Sequence, residues 1–220
     1  MTVTPDAESR ARQSLGTSER VIYETVASLL AERRVSGVIA DVGCGTGNLA
    51  RLLTTFEHVI GVDLVRYPSL PTHVEFRPCD LDREPLPLGA AEADAAVAVE
   101  TIEHLENPRA FVRELVRIVR PGGWVVITTP NQLSALSLAT LLLKQRFSAF
   151  QDSGYPAHRT ALLEVDLRRI AAECALEDVE VRFTCSGRVP LTGLHYPRSI
   201  ARLWPRLLSD NVALAGRARE

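Results

Sequence analysis

Five short apolar runs punctuate the first 130 residues: VIADVG (38–43), HVIGVD (58–63), VEFRPCD (74–80), ADAAVAVE (93–100) and WVVITTP (124–130). Helical stretches separate them. NLARLLTTF follows the first run. NPRAFVRELVRIVR precedes the last and sets Ala110, Phe111, Leu115, Ile118 and Val119 on one face. Strands that alternate with crossover helices imply a parallel sheet covered on both sides. Burial on two faces also explains why the runs are almost continuously apolar. Upstream, residues 6–34 read as helical, with Val21, Ile22, Thr25, Val26, Leu29 and Leu30 forming a stripe.

Past residue 131 the rhythm changes. LSALSLATLLLKQRF predicts a helix, QDSGYPAHRT a loop and LLEVDLRRIAAECA another helix. LEDVEVRFTC and NVALAGRA read as two strands, separated by a stretch rich in proline and arginine. Long connections inside a compact domain are commonly functional. The expected organisation is a helical cap over 1–34 and one α/β domain over 35–220, with lids at 131–160 and 186–210. At 220 residues the chain suits a single well-buried domain.

Composition narrows the classes. With 46% hydrophobic and 24% charged residues the chain is an ordinary globular one, and a net charge of −2 gives no global field for nucleic acid. From Arg182 to Glu220 seven arginines face two acids, which reads as a solvated surface. Cys44, Cys79, Cys174 and Cys185 show no CxxC spacing, so neither zinc nor a disulfide framework is indicated. MTVTPDAESRARQ has no apolar core for a signal peptide, and LSALSLATLLL is too short to span a bilayer. The expected location is cytoplasmic.

DVGCGTG follows the first run. Gly43, Gly45 and Gly47 allow a sharp turn and a close approach by a ligand, and a helix opening behind them would offer free N–H groups. Gly45-x-Gly47-x-x-Ala50 with Asp63 downstream also satisfies a relaxed dinucleotide fingerprint. Asp41 argues against that ligand: a carboxylate below the glycines repels a pyrophosphate and suits an ammonium or sulfonium group. The glycines are not followed by Lys-Ser/Thr, which excludes a P-loop.

DVGCGTG, GVD, CDL and RPGGWVVITTPN, in that order over roughly residues 35–185, resemble the class I S-adenosylmethionine-dependent methyltransferases. The resemblance implies a Rossmann-like, doubly wound, seven-stranded sheet of order 3-2-1-4-5-7-6 with an antiparallel last strand. It places the backbone of Gly43, Cys44, Gly45 and Gly47 along the methionine and ribose of the cofactor, with Asp41 near its amino group. Asp63 would accept from the ribose hydroxyls, Leu64 would lie against adenine, and Asp80 would accept from the adenine amino group beside the Leu81 N–H. Pro121-Gly122-Gly123 would end a helix and turn the chain into the fifth strand.

ETIEHLENP, after the fourth run, marks the acceptor side. It lacks the Asn/Asp-Pro-Pro-Tyr/Phe element of amino-methylating enzymes acting on DNA bases or glutamine, and Pro78-Cys79 sits at the adenine end, so nucleic-acid substrates are disfavoured. The segment is similar to the ubiquinone-biosynthesis O-methyltransferase branch, which points to O-methylation of a small molecule. In those quinone enzymes the two acids and the histidine are associated with a divalent metal. At i, i+3 and i+4, Glu100, Glu103 and His104 can share a helical face. The wider family uses the Glu-His pair without a metal, so none is assigned: Glu100 is read as holding the methionine end, and Glu103 as favouring a helix N-terminus. His104 and His158 are read as base or substrate contacts.

Leu138, Leu141, Leu142, Phe147, Phe150 and Tyr155 are candidates to wall an apolar acceptor. Trp204, Pro205 and nearby arginines either clamp a phosphorylated or lipid-linked substrate or touch a membrane peripherally. Two alternatives remain at the level of sequence: a nicotinamide-dependent oxidoreductase, and a cofactor-binding scaffold without turnover. The oligomeric state is not legible.

Overall fold

The computed structural model describes residues 16–219. Seven strands form one sheet: β1 Gly37–Val42, β2 Phe56–Asp63, β3 Val74–Pro78, β4 Ala93–Ala98, β5 Val119–Pro130, β6 Leu176–Phe183 and β7 Asn211–Ala218. Their spatial order is β3-β2-β1-β4-β5-β7-β6, as the resemblance implied. The pairs from β3 to β5 are parallel, and β7 runs antiparallel to both β5 and β6. The α-helices are α1 Arg20–Glu32, α2 Pro108–Ile118, α3 Ala135–Lys144, α4 Glu164–Glu173 and the single turn α5 Arg198–Ala201.

Period-two alternation divides the strands between two cores. Ala40, Val42, Ala96, Ala98, Val125 and Ile127 face α2 and α4. Ile39, Val59, Ala95, Val97, Val126 and Ala213 face α1, whose Ile22, Val26, Leu29 and Leu30 are sealed. Helix α2 starts where Asn107 Oδ1 accepts the Ala110 N–H at 3.0 Å and Pro108 takes the first turn. Its buried Phe111, Val112, Leu115 and Ile118 contribute on the order of 2 kcal/mol each by area removed from water. Past Ile118 the Pro-Gly-Gly segment loops out as a bulge: Ala93 pairs with Val119, but Ala95 pairs with Trp124.

Two expected helices change. Within the described residues, the one over 6–34 begins at Arg20, because Gly16 sits at φ +56°, Thr17 and Ser18 are irregular and Glu19 is extended; residues 6–15 lie outside the described part. NLARLLTTF forms a single 3-10 turn, Ala50–Leu52. The glycine loop consumes the start of this short connection and β2 already begins at Phe56, so no α-helix fits between them. Leu49, Ala50 and Leu53 are buried regardless. Among the described residues no helix is long and apolar enough to cross a membrane.

Candidate functional site

A cavity of about 210 Å³ opens at the carboxyl ends of β1 to β4, where open α/β sheets place their ligands. The glycine loop forms its floor. Gly43 turns at φ +79°, and the Val62 carbonyl accepts from the N–H groups of Gly43 and Cys44. The loop does not open an α-helix, so the expected free N–H groups of a helix N-terminus are not what meets a ligand here. Gly43 and Cys44 line the cavity; Gly45 and Gly47 do not. A Cβ at Gly45 would collide with the backbone of Gly16, and one at Gly47 with Pro71. Those two glycines admit neighbouring chain, not ligand.

Asp41, Asp63 and Asp80, together with Leu64 and Leu81, line the same cavity. Asp41 is 2% exposed, its Oδ2 has no partner, and burial aided by the Asp63 charge pushes its carboxyl up to about 7. A buried carboxyl with an orphaned oxygen is completed by a cationic ligand group. The donor set therefore fits the ammonium of the expected cofactor. Asp63 is anchored through Oδ2 to the Gly45 N–H at 2.9 Å and through Oδ1 to the Val65 N–H at 3.3 Å. Burial raises its pKa against backbone bonds from Gly45, Val65 and Leu64, and the carboxylate keeps acceptor capacity toward the cavity. Asp80 both faces the cavity and holds a turn, since its Oδ1 accepts the Asp82 N–H at 3.1 Å.

At the β4 end the expected grouping changes. Glu100, Glu103 and His104 do not share a helical face. Only Ile102–His104 is helical, as one 3-10 turn, and Glu100 lies before it at φ +47°. The Thr128 hydroxyl takes the Glu100 N–H at 3.0 Å, and the Asn211 amide donates to Glu100 Oε1. Thr101 Oγ1 donates to the Val42 carbonyl at 3.2 Å and pins the turn to β1. These anchors hold Glu100 apart. The residue that joins Glu103 and His104 is His158: one ligand atom from each lies within 4.8 Å of the others.

The two rings meet edge to face, 4.7 Å apart, and both line the cavity. His104 Nδ1 bonds to the Ala157 carbonyl at 2.9 Å, and His158 Nδ1 to the Ala149 carbonyl at 2.6 Å. A carbonyl only accepts, so each ring carries a hydrogen on Nδ1, and His104 is held by the Glu100 backbone as well. Burial, then the neighbouring His158, lowers His104 to about 4, which keeps it neutral. Burial raises Glu100 to about 7 despite hydrogen bonds from Ser18 and Asn211. Glu103 is fully buried, neither of its oxygens has a hydrogen-bond partner, and burial with the nearby Glu100 raises it well above the carboxylate range.

Several cavity residues carry no motif. Gly16, Thr17, Ser18 and Tyr23 close one side, where Gly16 O accepts from Thr46 N and the Tyr23 hydroxyl accepts the Ser18 N–H. The Gly-Thr-Ser triplet ahead of α1 was the available signal, since it breaks a helix. The apolar acceptor wall does not form: Leu138, Leu141, Leu142, Phe147, Phe150 and Tyr155 all lie off the cavity lining. Only Phe150 reaches it indirectly, packing 5.5 Å from His158. From the two expected lids, Ala157 and His158 line the cavity and nothing from 186–210 does.

A family model described as a methyltransferase domain matches residues 14–181. The chain is 34% identical over 122 residues to a probable S-adenosylmethionine-dependent methyltransferase of Mycolicibacterium smegmatis, covering 51% of this chain and 45% of that protein. It is 30% identical over 129 residues to the mitochondrial ubiquinone biosynthesis O-methyltransferase of Rattus norvegicus, covering 53% and 37%. The alignments thus span less than half the length of these two relatives. The fold superposes with TM-score 0.67 and 16% identity, over the whole of both chains, on a chain from the complex between the Haloferax volcanii Trm112 methyltransferase activator and a methyltransferase.

Proposed function

This chain belongs to the class I S-adenosylmethionine-dependent methyltransferase family, and from that premise we propose that it methylates a hydroxyl of a small molecule. When bound, the cofactor supplies an electrophilic methyl group on a sulfonium. Asp41 holds the ammonium of its methionine end, Asp63 accepts from the ribose hydroxyls, and Asp80 accepts from the adenine amino group beside the Leu81 N–H. Gly43 and Cys44 shape the floor, while Glu100 borders the methionine end. The substrate-facing cover is drawn from 131–160, with 186–210 outside it.

The observation that supports a hydroxyl acceptor is the imidazole pair. His104 and His158 are tied through Nδ1 to carbonyls and both rings line the cavity. Methyl transfer is an in-line displacement in which positioning supplies much of the rate. A hydroxyl must also lose a proton, and it becomes strongly acidic as the new O–C bond forms, so a buried imidazole suffices to take it. An amine acceptor would need no such base. The orphaned oxygen of Asp41 disfavours the nicotinamide alternative, because it would face a pyrophosphate.

A second reading rests on the Glu103–His104–His158 cluster, in which a divalent cation would acidify the hydroxyl instead. One experiment addresses both: labelled methyl transfer onto hydroxylated aromatics, quinols and sugars, with amines as a counter-panel, in the presence and absence of excess EDTA. Transfer to a hydroxyl that persists in EDTA is expected. Loss in EDTA with recovery on adding a divalent cation moves the three residues to metal binding. Transfer to amines alone removes the O-directed reading, and binding without turnover on any acceptor leaves a scaffold.

A further inference from the structure

The largest concentration of exposed apolar surface lies away from the cavity lining, on α3 and on residues 188–207. Helix α3 is ALSLATLLLK, yet its single buried residue is Ser137. Leu142 is 84% exposed and Leu143 is exposed beside it. In the second segment Leu191 is 92% exposed, followed by exposed Leu194, Ile200, Leu203, Trp204 and Leu207. Two consecutive helical turns carry the last four, closed by Arg202 N to Arg198 O and by Leu208 N to Trp204 O. Ile200, Leu203, Trp204 and Leu207 are all exposed, an apolar surface stripe along these two turns. Ala201 and Leu208 are buried and seat the turns on the protein.

The two elements are fastened together. Ala135 N donates to Leu207 O at 2.7 Å, and the Asn131 amide donates to Arg206 O and Ser209 O. Asn131 follows the last residue of β5, so the surface stands over the same carboxyl edge of the sheet on which the cavity opens.

Charge identifies the occupant. Residues 183–209 contain no aspartate or glutamate, and they carry Arg188, Arg198, Arg202 and Arg206. Arg206 is paired with Glu164 and Arg188 with Asp210, each at 2.6 Å, whereas Arg198, 64% exposed, only brushes Glu24 at 3.9 Å. A second copy of this chain docking face to face would oppose arginine to arginine. An acid-free stripe of leucine, isoleucine and tryptophan flanked by arginines matches instead a bilayer surface with anionic headgroups.

We propose that α3 and residues 188–207 dock on an anionic phospholipid surface, with the stripe in the headgroup region and the arginines on phosphates. This goes beyond the proposed methyl transfer. If that reading holds as well, the docked enzyme meets an acceptor that partitions into the bilayer. The test needs neither cofactor nor turnover, so the two readings fail separately.

The full chain is sedimented with vesicles of phosphatidylcholine containing phosphatidylglycerol, and with pure phosphatidylcholine vesicles. Binding to the anionic vesicles only, weakening with salt, is expected. Arg198→Ser combined with Arg202→Ser lowers the affinity roughly twenty-five-fold, at about fivefold for each arginine near a charged surface. Trp204 emission shifts to the blue on binding, and Trp204→Phe loses that shift while still sedimenting. Equal binding to neutral vesicles, no binding at low salt, or concentration-dependent self-association abolished by Leu203→Ser overturns the proposal.

Discussion

At the β1–β2 end of the cavity, neighbouring main chain does most of the holding; at the β4 end, contacts from distant segments do. Asp63 is fixed by the N–H groups of Gly45 and Val65, and the Val62 carbonyl fixes the loop itself. Glu100, by contrast, depends on Thr128 and Asn211, and His104 on a carbonyl at Ala157. The first end is preorganised by local chain geometry and suits an invariant ligand. The second is a set of exchangeable contacts, and suits a ligand that differs from enzyme to enzyme.

The largest effect should separate the ends by rate. His104→Ala and His158→Ala are each expected to lower turnover by about 10²- to 10⁴-fold, the usual span for a general base. Calorimetry should find cofactor affinity nearly unchanged. Full rate in both variants would remove the imidazoles from the chemistry and leave the β4 end purely architectural.

Asp63→Ala tests the other end. Losing the hydrogen bonds of a charged acceptor costs about 1.5–3 kcal/mol, so cofactor affinity should fall roughly tenfold to a hundredfold. Turnover at saturating cofactor should drop far less. A collapse of turnover with intact affinity would show that the two ends are not separable.

The smallest effect is on stability. Asp41 and Glu100 are raised to about 7, and Asp63 and Glu103 are raised as well, so the folded apo state keeps protons that the unfolded chain has already lost. Their contribution is full below the unfolded carboxyl pKa and disappears as pH rises through the folded values. His104, lowered to about 4, acts in the opposite sense up to the unfolded imidazole value. With four carboxyls against one imidazole, the apo melting temperature should decline by a few degrees from about pH 5 to 7.5. Asp41→Asn should flatten part of that decline, and an unchanged slope would mean that Asp41 ionises freely in the apo protein.

The same contrast decides what was legible in the chain. Asp41, Asp63 and Asp80 lie at or near the ends of consecutive strands; the strand pattern and the glycine loop singled out Asp41 and Asp63, while Asp80 followed from the resemblance. Strand order followed from the resemblance and not from periodicity. The β4 end was only partly legible. His158 was singled out, but its meeting with His104 depends on a strap folding back, where Arg159 N and Thr160 N bond to Glu103 O. The i, i+3, i+4 spacing of Glu100, Glu103 and His104 misled because Thr128, Asn211 and a left-handed backbone at Glu100 override local helix geometry. Gly16 to Ser18 were absorbed into an assumed helix. The glycine spacing also hid a division of labour, since packing alone accounts for Gly45 and Gly47.

The insertion of β7 between β5 and β6 sets an order of events during synthesis. When β6 is made, its place in the sheet does not yet exist, because β7 must first pair with β5. Until then β5 offers an open edge, the kind of surface on which nascent chains associate wrongly. Glu100 waits as well, since Asn211 is the first residue of that strand. A growing chain can thus complete the Asp63 end long before the β4 end, and only the arrival of β7 closes the sheet and the site together.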